Sequence, residues 1–143
     1  MVEIDITYQG DLRCTAVHGP SGTTMRTDAP KDNMGKGESF SPTDLVAAGL
    51  GTCMMTIMGI AARKLGVDLT GTQVKVVKEM AAAPARRIAR LAVEISVPRP
   101  VTPEQRRQLE NAAHTCPVSK SLHGDVEAPV TFRWADASTA DGA

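Results

Sequence analysis

The sequence predicts an α+β fold, with a largely antiparallel sheet and a long buried central helix. Stretches in which apolar and polar residues alternate occur in pairs joined by short turns, as at residues 2–8 and 12–18, and such pairs form β-hairpins. Helical segments do not alternate one by one with these strands, as they would in a parallel α/β fold. The expected order is three strands, a long helix, two strands, a helix and a final strand.

The N-terminal strands are predicted from apolar side chains at every second position. Val2, Ile4, Ile6 and Tyr8 alternate with polar residues, so they share one face of a strand. The remaining segments are a turn at 9–11, a return strand at 12–18, a turn at 19–22, a third strand at 23–28 and a loop at 29–40.

The long helix is predicted to begin at Ser41-Pro42-Thr43-Asp44 and to end before Gly66. Serine is a good cap, proline suits the first helical position, and aspartate is favoured at the positive end of the helix dipole. No residue from Leu45 to Ala62 is charged, which by length alone would also suit a membrane span. Glycines and threonines within the stretch and strands on both sides argue against a span, so no membrane is expected.

The uncharged helix also indicates a homodimer. A helix that is apolar on all sides is buried on all sides, and one small sheet covers only one face. We therefore expect a second subunit to cover the other face.

The second half of the chain predicts another hairpin, a helix and a last strand. Its segments are a strand containing Val74 and Val76, a turn at 81–84, a strand at 91–97, a capping box at Thr102-Pro103-Glu104-Gln105 opening a helix to about His114, a helical turn at 118–122 and a strand at 126–134. We predict a single domain over residues 1–135 and a disordered tail over 136–143.

Composition excludes several function classes. Among the 143 residues, 16 basic side chains balance 16 acidic ones, which leaves no net charge to attract nucleic acid. Aromatic residues make up 3%, too few for base stacking. The acidic, alternating start does not resemble a signal peptide, so a cytoplasmic protein is expected. Gly35-Lys36-Gly37 lacks the rest of a phosphate-binding loop, and no cofactor is expected.

The three cysteines are the residues best suited to chemistry. They show no Cys-x-x-Cys spacing and form no zinc pattern with His18, His114 or His123, so no metal site is expected. Cys14, in a strand beside Arg13, is interpreted as structural.

Cys53 and Cys116 each leave two interpretations open. Cys53 is either a small core residue or a thiol in a pocket, because Gly49 and Thr56 share its helix face and add little bulk. Cys116 precedes Pro117 at a helix end, where the thiol is either structural or free to react.

Two segments together resemble the signature of the OsmC/Ohr family, named for osmotically inducible protein C and the organic hydroperoxide resistance proteins. They are Ser41-Pro42-Thr43-Asp44-Leu45-Val46-Ala47-Ala48-Gly49 leading to Cys53, and Cys116-Pro117-Val118-Ser119-Lys120. The similarity spans nearly the whole chain. It implies an intertwined homodimer in which sheets wrap two central helices, with two active sites near the subunit interface.

The resemblance also implies a cysteine-based peroxidase that acts in oxidative-stress defence. Its substrates would be organic hydroperoxides, with hydrogen peroxide as a further candidate, and an external dithiol would reduce the oxidised enzyme. Cys53 matches the peroxidatic thiol, Cys116 the resolving thiol, and Arg13 the active-site arginine, for which Arg26 is the weaker match. Met54 and Ile57 would favour organic substrates if they line the entrance. The alternative is a non-enzymatic dimeric stress-associated or small-ligand binding protein with structural or slowly redox-sensitive thiols.

Thr43 departs from the family pattern. In the peroxidase branches this position carries a glutamate that holds the arginine. Asp44 is adjacent but expected to be engaged at the helix start, and Glu38 lies in a loop that could reach the arginine. Thr43, Asp44 and Glu38 are therefore the candidates for orienting Arg13.

We expect Thr43→Glu to increase the second-order rate at which peroxide oxidises Cys53. A carboxylate holds a guanidinium by two charge-assisted hydrogen bonds, whereas a hydroxyl offers one neutral acceptor. The carboxylate also partly neutralises the arginine, but we expect positioning to dominate, since a loosely held catalytic group costs more. Stopped-flow oxidation of wild type, Thr43→Glu and Glu38→Gln tests this. No gain in the first variant and a large loss in the second would show that Glu38 already holds Arg13.

Overall fold

The computed structural model describes residues 1–136, which form two compact units, Met1–Val46 and the described residues from Ala47 onward. Each unit contains a three-stranded sheet, so the α+β prediction is confirmed. The predicted tail lies outside the described residues except for Asp136, and the extent of the single domain stays a prediction.

The sheet of the N-terminal unit is an antiparallel meander of β1 (Ile4–Gly10), β2 (Arg13–His18) and β3 (Thr24–Asp28), with β2 in the middle. The three predicted strands are confirmed, with β1 and the turn after it two residues and one residue, respectively, later than predicted. Ile4, Ile6 and Tyr8 share one face of β1 as expected, yet all three are exposed in the protomer.

The loop that follows β3 is tied back to the end of that strand. It contains a short 3-10 turn at Lys31–Asn33. The Asp28 N–H donates to the Phe40 carbonyl at 3.1 Å, and the Gly37 N–H donates to the Ala29 carbonyl at 3.1 Å. These bonds fix the backbone on both sides of Glu38.

Helix α1 spans Pro42–Leu65 and begins as predicted. The Ser41 hydroxyl accepts a hydrogen bond from the Asp44 N–H at 3.1 Å, and the Asp44 carboxylate accepts one from the Ser41 N–H at 2.9 Å. Gly66, with φ of 68°, follows the last helical residue. Of the helices in residues 1–136, α1 is the one that is long and apolar enough to cross a membrane, with a mean hydropathy of 1.9.

Within the C-terminal unit, one face of α1 packs on the sheet. The buried residues recur every three or four positions and are Ala47, Leu50, Gly51, Met54, Met58 and Ala62. Gly51 permits the close approach, because a Cβ at this position would lie 2.8 Å from Val76 Cγ2. Thr52, Thr56 and Ile60 lie on the opposite face and are exposed in the protomer.

The sheet beneath α1 consists of β4 (Gln73–Ala81), β5 (Arg87–Val97) and β6 (Val130–Trp134). Strands β4 and β5 form the predicted antiparallel hairpin, whereas β6 runs parallel to β5 because helices connect them. The core face of β5 consists of alternating residues Leu91, Val93, Ile95 and Val97. Strand β6 begins four residues later than predicted. Before it, Glu127 forms an isolated bridge to β5, with backbone bonds to Ala89 and Leu91.

Two helices lie between β5 and β6. Helix α2 (Pro103–Ala113) has the predicted capping box, in which Thr102 and Gln105 each accept a hydrogen bond from the other's backbone N–H, at 3.1 and 2.9 Å. The Trp134 indole donates to Glu110 at 2.8 Å, which docks α2 on β6. The short helix α3 (Pro117–Ser121) follows, and Cys116 is its N-cap.

Candidate active site

Cys53 and Cys116 are neighbours in the C-terminal unit. Their side chains share a hydrogen bond, although 62 positions separate them in the sequence. Cys53 lies on α1 and is partly exposed, whereas Cys116 is fully buried. The Cys116 sulfur also accepts a hydrogen bond from the Ser119 N–H at 3.4 Å. The two thiols therefore differ in access to solvent while remaining in contact.

Burial raises the pKa of the Cys116 thiol above its ordinary value, and the hydrogen bond with Cys53 raises it further. The backbone N–H groups of Ser119 and Val118 act in the opposite direction with smaller effects. Cys116 is therefore a protonated thiol at neutral pH and is a poor nucleophile toward an external substrate.

Arg13 is the centre of a charged cluster in the N-terminal unit. Its Nη2 lies 3.1 Å from Glu38 Oε2 and 3.7 Å from Asp28 Oδ2. These three residues, together with Cys14 and Arg26, line an open cavity of about 560 Å³. The cluster places one guanidinium between two carboxylates, one on β3 and one in the loop.

Comparison with known proteins identifies the family. The OsmC-like protein family model matches residues 35–130. A crystal structure from Psychrobacter arcticus 273-4, described as a candidate osmotic stress induced and detoxification response protein, is 45% identical, with a TM-score of 0.88 over 93% of this chain and 96% of that chain. This chain belongs to the OsmC-like family. The predicted resemblance is therefore confirmed.

More distant OsmC-like structures share the fold. An organic hydroperoxide resistance protein OsmC from Legionella pneumophila is 16% identical, with a TM-score of 0.74 over 93% of this chain and 96% of that chain. An OsmC-like protein from Mycoplasma pneumoniae is 15% identical, with a TM-score of 0.79 over 94% and 97%. No curated protein matched the sequence. These structures show that the OsmC-like fold is kept at low sequence identity.

The three candidates for orienting the arginine of this OsmC-like chain occupy different places. Glu38 forms the ion pair with Arg13, and Asp44 is engaged at the start of α1 as expected. The Thr43 hydroxyl lies 3.2 Å from that of Ser41. The increase in oxidation rate expected from Thr43→Glu stays a prediction. Because Glu38 already forms an ion pair with Arg13, the variant would give no increase if that ion pair orients the arginine.

Sequence reasoning missed Asp28. The predicted turn at residues 19–22 already places residue 13 opposite residue 28, and the structure pairs Arg13 with Asp28 in that register. The opposite charges of Arg13 and Asp28 at directly paired positions were the feature of the sequence that could have identified Asp28.

Met54 and Ile57 were expected to line an apolar entrance to the site, and this expectation is wrong for Met54. Met54 is 1% exposed and packs in the core, so it does not line an open entrance in the protomer. Its position on the buried face of α1, three residues from Gly51 along the helix, explains the difference. Ile57 is partly exposed and stays a candidate.

Metal ligation finds no support in residues 1–136. No group of three or more histidine, cysteine, aspartate or glutamate side chains there is arranged to hold an ion. His18 instead contacts Ser21 at 2.6 Å, and His114 packs edge-on against Phe132.

We expect alkylation of Cys116 by iodoacetamide to keep accelerating above pH 9.0, its ordinary pKa. The reaction requires the thiolate, whose fraction grows about tenfold per pH unit below the raised pKa. Mass spectrometry of the Cys116 peptide gives the profile. In Cys53→Ser the hydrogen bond between the two thiols is removed but burial remains. The pH midpoint of Cys116 alkylation should therefore fall only part of the way toward 9.0. A plateau below pH 9.0 in wild type would contradict burial as the main cause.

Proposed function

We propose that this OsmC-like protein is a cysteine-based peroxidase that reduces organic hydroperoxides. The observation that carries the proposal is the contact between a partly exposed thiol, Cys53, and a buried protonated thiol, Cys116. A reactive thiol must meet the peroxide, whereas a resolving thiol must meet only the oxidised sulfur. The two environments match these two roles.

The reaction begins at Cys53. Its thiolate attacks the terminal, hydroxyl oxygen of the hydroperoxide, the O–O bond breaks, and the alkoxide leaves and takes a proton as the alcohol. Sulfur is oxidised to a sulfenic acid and the peroxide is reduced. Cys116 then attacks this sulfur as a thiolate, a disulfide forms, and the hydroxyl leaves as water after gaining the thiol's proton. An external dithiol reduces the disulfide by thiol–disulfide exchange and is itself oxidised.

The raised pKa of Cys116 favours this order of events. A protonated, buried thiol does not compete with Cys53 for peroxide. The resolving step then becomes faster as pH rises toward the pKa of Cys116.

Arg13 is proposed as the cation that favours the Cys53 thiolate, as the family resemblance implies. A guanidinium about 4 Å from a thiolate contributes on the order of 4 kcal/mol at an effective dielectric of about 20, before desolvation and solvent screening reduce it. An unperturbed thiol needs a decrease of about 1.5 pKa units, roughly 2 kcal/mol, for half ionisation at pH 7. One well-placed arginine is therefore sufficient in magnitude.

A homodimer is part of the proposal, supported by two exposed surfaces that carry no charge. Thr52, Thr56 and Ile60 are exposed on α1, and a Cβ at Gly49 or Gly59 would meet nothing within 4 Å. Ile4, Ile6 and Tyr8, which are exposed on one face of β1, form a second such surface in the N-terminal unit. Small residues let helices approach closely, and exposed apolar patches mark interfaces. We further propose that the dimer acts in the cytoplasm without binding membranes or nucleic acid.

Light scattering is expected to give a mass of about twice 15.1 kDa at micromolar concentration. Ile60→Glu should convert the dimer to monomer, because it places charge on the proposed helix contact. Val77→Glu is the matched control, since Val77 is 50% exposed and Ile60 51%, and Val77 lies on β4. A wild-type monomer, or equal dissociation by both variants, would contradict the proposed interface.

One equivalent of cumene hydroperoxide is expected to convert Cys53 and Cys116 into a disulfide while Cys14 stays free. Peptide mapping without reductant measures the linkage, and Cys14→Ser should behave as wild type. Cys116→Ser should stop at a sulfenic acid on Cys53 that dimedone traps. Consumption of Cys14, or an unresolved sulfenic acid in wild type, would contradict the assignment of Cys116.

A further inference from the structure

We propose that Asp28 is the positioning residue for Arg13, holding the guanidinium from the sheet while it also fixes the loop that presents Glu38. The proposal rests on the proposed function, because it assigns how the arginine of that reaction is oriented. The role proposed for Asp28 is exerted through Arg13.

The sheet sets the Arg13–Asp28 pair. The two residues are directly opposite each other on β2 and β3, so their side chains leave the same face of the sheet. Arg13 Nη2 lies 3.7 Å from Asp28 Oδ2. The strand ladder holds the Cα atoms of the two residues opposite each other, so the Asp28 carboxylate stays within reach of the Arg13 guanidinium.

Asp28 also holds the second carboxylate in place. Its Oδ2 accepts a hydrogen bond from the Glu38 N–H at 3.0 Å, and its own N–H donates to the Phe40 carbonyl at 3.1 Å. Glu38 Oε2 in turn lies 3.1 Å from the same Nη2 of Arg13. Asp28 thus contacts Arg13 directly and also binds the backbone of the residue that supplies the second carboxylate.

Burial distinguishes the two acids. The side chain of Asp28 is 3% exposed, whereas that of Glu38 is 60% exposed. A buried carboxylate is costly unless a charge compensates it, and Asp28 Oδ1 has no hydrogen-bond partner within the described residues. An asparagine could accept the same bond from the Glu38 N–H without this cost. The ion pair with Arg13 therefore explains why position 28 carries a charged side chain and not an amide.

A double-mutant cycle tests the proposal. The rate of Cys53 alkylation by iodoacetamide and its pH profile are measured in wild type, Asp28→Asn, Arg13→Gln and the double variant. In the wild-type background Asp28→Asn should slow alkylation at neutral pH about tenfold and move the profile to higher pH. In the Arg13→Gln background it should change neither, because the group through which Asp28 acts is gone. Asp5→Asn, an exposed aspartate on β1, is the control and should match wild type.

The possible failures are distinguishable. Equal slowing by Asp28→Asn in both backgrounds would show a merely structural role and overturn the proposal. Slowing by Arg13→Gln without slowing by Asp28→Asn would overturn it while leaving the proposed function intact. No effect of Arg13→Gln would overturn both the proposal and the assignment of Arg13. Thermal unfolding monitors folding, and Asp28→Ser, which keeps a short acceptor, serves in the cycle if Asp28→Asn does not fold.

Discussion

The contact between Cys53 and Cys116 is the constraint on which the rest of the site depends. A disulfide requires the two Cβ atoms to lie about 4 Å apart, which a chain separation of this size does not provide by itself. Gly51 lets α1 lie close to β4, and the Trp134–Glu110 bond docks α2 on β6. Because α1 and α2 pack on the same sheet, the middle of α1, which carries Cys53, meets Cys116 at the start of α3, the helix that follows α2.

The two thiols have different chemistry because their surroundings differ. Cys116 caps a helix from a buried position, where desolvation outweighs the two backbone donors and raises the pKa of its thiol. Cys53, the other thiol of the pair, is partly exposed. In the proposed reaction, this difference in burial assigns attack on the peroxide to Cys53 and formation of the disulfide to Cys116. In the N-terminal unit, the guanidinium of Arg13 is held by a sheet residue, Asp28, and a loop residue, Glu38.

Local patterns predicted most of the fold. Alternation along residues 2–8 and 91–97, the Ser41 start and the Thr102 capping box depend on neighbours within a few residues, and each was confirmed. The parallel direction of β6 was not expected, since it follows from the path of α2 and α3. The burial of Met54 was also missed, because an uncharged helix does not reveal which face meets the sheet.

The site was harder to predict than the fold. The resemblance named Cys53, Cys116 and Arg13, but contact between the thiols is a through-space relation that spacing does not encode. Asp28 was within reach of strand register, since a turn at 19–22 pairs it with Arg13. Its burial and its bond to the Glu38 backbone required coordinates.

Turnover of peroxide is the most direct test of the account. Consumption of cumene hydroperoxide is followed with excess dithiothreitol, comparing wild type with Cys53→Ser and Cys14→Ser. The account predicts many turnovers in wild type and Cys14→Ser and none above buffer in Cys53→Ser. A wild-type rate no greater than that of Cys53→Ser would contradict it.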